Sequence, residues 1–335
     1  MSGQFDFAPW SSPEGAVDGA FRVGLRPIPE ARWLPVPEDL QARLAQRRSV
    51  LRNHLHQAWA DPPAARAAAR ELLALLRRHT QQQLRSASTA GPEPGSESRC
   101  EREALAECNA ADLDGDPLLA AAALVPDDLC LLAPDDPPRL RAGVLTAPSG
   151  WRLDQRLGQD LHALHGPVDG LDDAIGARMR AFIERLPAGR IFERGNWSLY
   201  DDGAYWRPGG AALGRVPEAV RTAPDVAQHL WLRREQQTLQ RLPESGWILF
   251  TIRVHLAPVT ALAAEPLLAA HLRRAMASLT ERERRARRID EVGAGLDAWL
   301  GAVPRDRSTS TQECAASDGS ALRVRRDAEA RPCRR

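Results

Sequence analysis

Two histidines in the middle of the chain, His162 and His165, could ligate a metal or a haem iron. They end a run in which leucines recur at helical spacing, at positions 153, 157, 161 and 164, and Gly166-Pro167 predicts the end of that helix. On a helical wheel His165 lies beside the apolar stripe and His162 lies far from it. A neutral imidazole in that place can bind haem. The alternative is a helix-terminal histidine that only bonds the last carbonyls.

A carboxylate stands on a second segment whose spacing predicts a helix, residues 228–242. Its apolar face is formed by four residues, and Glu235 falls near the middle of that face: Trp231, Leu232, Leu239 and Leu242. A bare carboxylate is too costly to bury. We therefore expect Glu235 either to pair with an arginine or to face a ligand pocket, where it could hold an amine cation.

Strict alternation over 247–256 predicts a β-strand. One face is uniformly apolar, from Ile248 to Leu256. The other face changes from Trp247 and Leu249 to a polar end formed by Thr251, Arg253 and His255. That face suits the wall of a pocket with one polar end. The alternative is an ordinary half-exposed strand.

Another strand is predicted at 190–200, with Arg190, Arg194 and Asn196 on one face. Guanidinium groups bind carboxylates through paired hydrogen bonds. The two arginines could therefore bind the acidic groups of a cofactor, or they could pair with Asp201 and Asp202.

The composition excludes several classes of protein. All 45 basic residues are arginine, so no lysine can act as a catalyst, a Schiff base or a phosphate ligand. A net charge of +1 provides no basic field for nucleic acid. No glycine-rich nucleotide fingerprint, zinc-protease motif or hydrolase elbow is present.

Cysteine usage and hydropathy indicate a cytoplasmic protein. The five cysteines are scattered without a CxxC pair, which argues against zinc ribbons, iron–sulfur clusters and a disulfide framework: Cys100, Cys108, Cys130, Cys314 and Cys333. No apolar run approaches a membrane span, and the N-terminus lacks the pattern of a signal peptide. We expect neither a membrane nor a nucleic-acid partner.

Changes in composition divide the chain into four parts. Residues 1–85 are predicted to form an extended segment and helices that pack on the core, and 86–112 a polar, mobile insertion. Residues 113–301 should form the core with C-terminal helices, and 302–335 a disordered tail.

Three helices are predicted outside the segments that carry the candidate site. The first covers about 38–59, and the second begins at Asp61-Pro62, as N-cap and first turn, and runs to about 84. The third covers 264–301, with a break near Gly293 and a capping box formed by Thr280 and Glu283.

An ordered series of motifs runs from about residue 20 to residue 300, with the 86–112 insertion excluded. This series resembles the alpha subunit of the haem-dependent oxidative N-demethylases, and its motifs are Gly24-Leu25-Arg26-Pro27, Val125-Pro126-Asp127-Asp128-Leu129, Pro148-Ser149-Gly150-Trp151, Arg156-Leu157-Gly158, Leu164-His165-Gly166-Pro167-Val168, Arg194-Gly195-Asn196-Trp197-Ser198, and Leu232-Arg233-Arg234-Glu235-Gln236-Gln237-Thr238-Leu239.

The resemblance implies an α+β, PAS-like haem-binding domain with additional N- and C-terminal helices. The implied cofactor is haem b, and the implied reaction oxidises dimethylamine with O2 to methylamine and formaldehyde. NADPH, FMN and a 2Fe–2S cluster would belong to a separate reductase subunit. The alternatives are a haem-binding, PAS-like sensor or carrier without demethylation activity, and a pseudoenzyme without haem.

The resemblance also implies roles for individual residues. His165 lies in a His-x-Pro-Val motif and would be the axial ligand of the haem iron. A polar distal site that positions the amine and O2 would consist of Glu235, Arg253 and His255. Arg190, Arg194 and Asn196 would bind the cofactor, with the arginines at the propionates.

Four residues depart from the family pattern: Arg156 replaces lysine, Asp169 replaces proline, and the pair Val254-His255 replaces threonine-tyrosine. If the last of these positions touches substrate, the chain acts on a different amine or on none.

Overall fold

The computed structural model describes residues 25–37, 39–89, 115–160, 163 and 181–304. Within them, seven strands form one sheet: β1 (Arg26–Ile28), β2 (Trp59–Ala60), β3 (Asp128–Ala133), β4 (Arg139–Val144), β5 (Ile191–Tyr200), β6 (Trp231–Arg241) and β7 (Ile248–Pro258). Their spatial order is β1-β5-β6-β7-β3-β4-β2, and all neighbouring strands are antiparallel.

The described residues also form helices before, between and after the strands: α1 (Leu40–Ala58), α2 (Arg66–Thr89), α3 (Pro117–Ala122), α4 (Leu153–Arg156), α5 (Pro266–Ala277), α6 (Glu281–Ala286) and α7 (Ile289–Ala302). The predicted α+β class is therefore confirmed. None of these helices is both long and apolar enough to cross a membrane.

The two faces of the sheet have different surroundings. We define the site face by eight side chains: Arg194 and Asn196 of β5, Arg233, Glu235 and Gln237 of β6, and Phe250, Ile252 and Val254 of β7. The opposite face is covered by helices at both ends. Helices α2 and α3 pack there on β3 and β4, and α5 and α7 pack on Trp197, Leu199 and Leu232.

A buried arginine anchors α1 to the start of β3. Arg47 is 3% exposed and donates hydrogen bonds to the backbone oxygens of four successive or nearby residues, Ala122, Val125, Pro126 and Asp127. It also lies 3.4 Å from a carboxylate oxygen of Asp128, which accepts hydrogen bonds from Thr146 and Ala147. The segment that leads into β3 is therefore held by one guanidinium group.

The strands predicted at 190–200 and 247–256 are confirmed as β5 and β7, and the first two helices are confirmed as α1 and α2. Asp61 does not cap α2, because a short 3-10 turn, Pro63–Ala65, comes first. The region 264–301 forms three helices. The capping box of Thr280 and Glu283 is present and begins α6. The predicted break near Gly293 is wrong, since that residue lies inside α7.

The helix predicted at 228–242 is wrong, because these residues form β6. Most of them favour helices by intrinsic propensity, and their apolar residues recur at helical intervals. The central position of the segment overrides both signals, since β6 pairs with β5 on one side and with β7 on the other. Propensity is a weak guide where tertiary pairing satisfies the backbone.

The helix predicted from Trp151 also differs from the structure. Helix α4 ends at Arg156, because Leu157 is extended, with ψ of 137°, and Gly158 has φ of +82°. Asp160 then forms an antiparallel bridge with Arg139. Residues 86–89 of the predicted insertion continue helix α2. His162 and His165 lie outside the described residues, as do Asp169, residues 90–112 and the tail beyond residue 304.

We predict that Gly295→Ala destabilises the protein by about 1–3 kcal/mol. A Cβ at this position of α7 would lie 2.3 Å from the backbone oxygen of Ala223, which cannot move aside as a flexible side chain can. The matched control is Gly301→Ala in the same helix, where the nearest atoms belong to the mobile guanidinium of Arg273 at 3.4 Å. There the gain in helix propensity of up to about 1 kcal/mol should dominate. Urea unfolding measures both changes, and equal effects would contradict the close-packing argument.

Candidate functional site

Strand register brings the polar residues of β5 and β6 together on the site face. Arg194 of β5 lies opposite Gln237 of β6, and Gln237 lies opposite Ile252 of β7. The next row consists of Asn196, Glu235 and Val254. Directly opposed residues in antiparallel strands project to the same side of the sheet, so two polar rows lie side by side there.

Apolar side chains flank these polar rows. One cluster contains Cys130, Leu140 and Leu153 together with Ile252 and Val254. A second cluster joins β6 and β7 to residues that precede β5, and its members are Leu132, Ile183, Leu186, Leu239 and Ile248, with Phe182, Phe192 and Phe250 packed against it. The site face is therefore an apolar wall with a charged row in it. Between these clusters in the chain lie residues 161–180, of which only Ala163 is described.

Glu235 forms an ion pair, as one of its two alternatives predicts. Its Oε1 accepts a hydrogen bond from Nε of Arg233 at 3.3 Å, and its Oε2 accepts one from the amide of Gln237 at 2.9 Å. Arg233 also donates to the backbone oxygen of Ala147. All three side chains of β6 are buried, so this carboxylate is held in place from both sides.

Two further guanidinium groups lie near Glu235. Burial lowers the pKa of Arg194, and the carboxylate of Glu235 opposes that shift. Burial also lowers the pKa of Arg287, where Glu283 and Glu235 oppose the shift and Arg194 adds to it. Arg287 donates to Oδ1 of Asn196 at 3.1 Å and to the backbone oxygen of Trp197. One buried carboxylate thus faces three guanidinium groups.

Within the part of the chain that the structure describes, three buried polar atoms of the site face have no hydrogen-bond partner: Nε of Arg194, Nη1 of Arg233 and Oε1 of Gln237. Buried donors and acceptors are nearly always satisfied in native proteins by protein groups or ordered water. A group of three such atoms around one carboxylate is therefore typical of a place where a ligand completes the hydrogen bonds.

Arg253 and His255 lie on the opposite face of the sheet from Glu235. Glu235 is opposite Val254 in the register, so the neighbours of Val254 point to the other side of the sheet. There Arg253 forms a buried pair with Asp127, at 3.1 and 2.5 Å, and donates to the backbone oxygen of Pro35. The predicted trio of distal residues is not brought together. The alternative of a half-exposed strand is also wrong, because Arg253 and His255 are buried.

The environment of His255 is unfavourable to a proton. Burial lowers the pKa of His255 well below its usual range, and Arg234, Arg43 and Arg253 lower it further. Of the two departures at 254–255, only Val254 borders the site face. His255 therefore belongs to the packing of the opposite face of the sheet, whereas Val254 makes the site face more apolar.

The remaining arginine predicted for cofactor binding lies elsewhere. Arg190 precedes β5 and lines a surface groove of about 410 Å³ together with Pro27, Glu30 and other residues of the β1 edge. Among the described residues, Asp201 and Asp202 pair with Arg207 and Arg215 rather than with Arg190 or Arg194. Arg156 donates to Gln159 and to the backbone oxygen of Ala163.

Sequence reasoning missed Arg233 and Gln237. Both alternate with Glu235 at a spacing of two, which places three polar residues on one face of a strand. The signal was present in the sequence, but the helical interpretation of 228–242 concealed it.

An apolar wall with unsatisfied guanidinium groups suits a large apolar ligand that carries acidic groups. The family model described as haem-dependent oxidative N-demethylase, alpha subunit-like, matches residues 24–296 of the chain. The chain belongs to this family, and the resemblance carried by the sequence motifs is confirmed. The family description states a dependence on haem, and its alpha-subunit character implies a partner subunit.

The residue types of the site face are compatible with haem. Phe250, Ile252 and Val254 offer apolar contact, and the unsatisfied donors of Arg194 and Arg233 offer hydrogen bonds to acidic groups. Burial raises the pKa of the Cys130 thiol on the same face.

We predict that His255 weakens the folded state in acid. The unfolded chain takes up a proton at this histidine below about pH 6.5, whereas the folded chain resists it. Because the unfolded state then binds more protons, the free energy of unfolding falls as the pH drops below that value. In His255→Gln this fall should be smaller, and urea unfolding at pH 7.5 and pH 5.5 measures it. An identical pH dependence in the two proteins would contradict the prediction.

Proposed function

We propose that the protein is a haem-binding oxygenase subunit that oxidises a small secondary amine, such as dimethylamine, with O2 and releases formaldehyde. The observation that carries this proposal is the group of unsatisfied buried polar atoms around Glu235 on an apolar sheet face. It occurs in a chain that belongs to a haem-dependent family over residues 24–296.

We place haem b against the site face, with His165 as the axial ligand. His165 belongs to the chain between Asp160 and Ala181. Leu153, which precedes this stretch, and Ile183, which follows it, both pack against the site face. Arg194 and Arg233 would hold acidic groups of the cofactor. Arg190 is the weaker candidate, because it lies in the groove beside β1.

Bound haem would supply the redox chemistry of the reaction. The chain would supply the surroundings. Phe250, Ile252 and Val254 exclude water, which strengthens every electrostatic interaction at the site. The fixed carboxylate of Glu235 would help to position the amine and O2. Arg253 and His255 face away from Glu235, so in this proposal they support β7 from the opposite face.

The sheet supports the PAS-like interpretation of the fold. Its five central strands form a hairpin, β3 and β4, and a meander, β5, β6 and β7. The last strand of the meander returns to pair with the first strand of the hairpin, β3. We propose that these five strands are the PAS-like core, and that the helices before β3 and after β7 are the additional N- and C-terminal helices. We also propose that the protein is cytoplasmic.

A separate reductase subunit would deliver the electrons. We propose that NADPH, FMN and a 2Fe–2S cluster reside on that partner, because the family description is that of an alpha subunit. The experiment has two stages. Freshly purified protein is examined for a Soret band, and dimethylamine, O2 and a reductase are then supplied while formaldehyde is assayed. A Soret band without formaldehyde would replace the enzyme with a haem sensor or carrier. A missing Soret band after reconstitution with haem would refute both.

We predict that His165→Ala abolishes or strongly alters the Soret band, because it removes the axial ligand. His162→Ala is the matched control, three residues away, and should leave the spectrum unchanged. Absorption spectra of the two purified variants, each reconstituted with haem, make the comparison. If His162→Ala alone changes the spectrum, the ligand is His162.

A further inference from the structure

We propose that Gln237 is the residue that touches the substrate: its side-chain oxygen accepts a hydrogen bond from the N–H of an uncharged secondary amine, and Glu235 and Arg233 act as positioning residues for it. This inference rests on the proposed function and assigns the substrate contact within the same site.

The orientation of the Gln237 amide follows from its partner. The amide nitrogen donates to Oε2 of Glu235 at 2.9 Å. An ionised carboxylate can only accept hydrogen bonds, so the NH2 group must face Glu235 and the oxygen must face away. The free end of the side chain is therefore an acceptor.

Glu235 is itself held rigidly. Its other oxygen accepts a hydrogen bond from Arg233, which is completely buried, donates to the backbone of Ala147 and lies 5.7 Å from the centre of the Tyr200 ring. Glu235 and Gln237 are each only 6% exposed. The three side chains form a fixed series that ends at the oxygen of Gln237.

Among the described residues that oxygen has no hydrogen-bond donor, although a donor lies in the same row. Arg194 is the cross-strand neighbour of Gln237, and its Nε is also buried and unsatisfied. Two unsatisfied groups in adjacent places that do not bond each other both require a third partner. A ligand N–H would satisfy the oxygen, and an acceptor such as an acidic group or O2 would satisfy Arg194.

The local charge favours an uncharged amine over an ammonium ion. Three guanidinium groups, those of Arg194, Arg233 and Arg287, outnumber the two carboxylates that act on them, those of Glu235 and Glu283. A second buried cation beside Arg194 would add to that excess, which is unfavourable at low dielectric. The apolar side chains of Ile252 and Val254 adjoin the rows of Gln237 and Glu235 and would contact N-methyl groups.

Calorimetric titration of the haem-loaded protein tests the contact with two probes. Uncharged dimethylamine has one N–H, and uncharged trimethylamine has none. Gln237→Met should weaken dimethylamine binding by about threefold to tenfold, the loss of one hydrogen bond. It should leave trimethylamine binding unchanged. The matched control is Gln236→Met, whose side chain bonds Glu193 on the opposite face, and it should change neither affinity.

The protonation state gives a second measurement. If the uncharged amine binds, dimethylamine affinity should rise by about tenfold per pH unit between pH 7 and 9, since the uncharged fraction rises in that proportion. A flat or falling affinity would overturn the assignment of an uncharged ligand.

Unchanged dimethylamine affinity in Gln237→Met would overturn the inference, as would equal losses for both amines. If that variant does not fold, Gln237→Asn tests the same contact, because it withdraws the oxygen by one methylene group. Either failure leaves the Soret band of the wild-type protein intact. Failure of the proposed function would instead appear as a wild-type protein without a Soret band.

Discussion

The structure depends on the burial of polar and charged side chains on both faces of an interior strand, β6. Arg233 and Glu235 project to the site face, and Arg234 and Thr238 project to the opposite face. Buried charges destabilise a fold unless they are paired and hydrogen-bonded. The strands and helices around β6 must therefore supply partners as well as apolar contact. On the site face, three buried polar atoms have no hydrogen-bond partner among the described residues, and they mark the candidate site.

On the opposite face, paired polar groups hold parts of the fold together. Arg253 is bound by both oxygens of Asp127 and by the backbone of Pro35. The indole of Trp33 donates to Thr238, and Thr238 bonds Thr251. These contacts tie the N-terminal segment to the middle of the sheet, and Arg47 ties α1 to the start of β3. Similar residue types thus form a scaffold on one face and the polar rows of the candidate site on the other.

Two neighbouring departures from the family pattern, at 254 and 255, lie on opposite faces of the sheet. Position 255 belongs to the scaffold, where burial and three arginines keep the histidine uncharged. Position 254 belongs to the site face and lies beside Glu235. Of these two positions, only 254 therefore contributes a side chain to the site face. The polar groups that remain on that face are those of β5 and β6.

The sequence left open whether Glu235 forms an ion pair or faces a ligand pocket. By itself it determined the family, the α+β class, helices α1 and α2, and strands β5 and β7. These follow from ordered motifs and from periodicity within one element, which are local properties. Strand β6, the early end of α4 and the separation of Glu235 from Arg253 and His255 were decided by tertiary structure. Helical spacing and propensity at 228–242 were outweighed by pairing with two neighbouring strands. Arg194 lies opposite Gln237 because of the register of β5 against β6. The sequence of either strand alone does not determine that register.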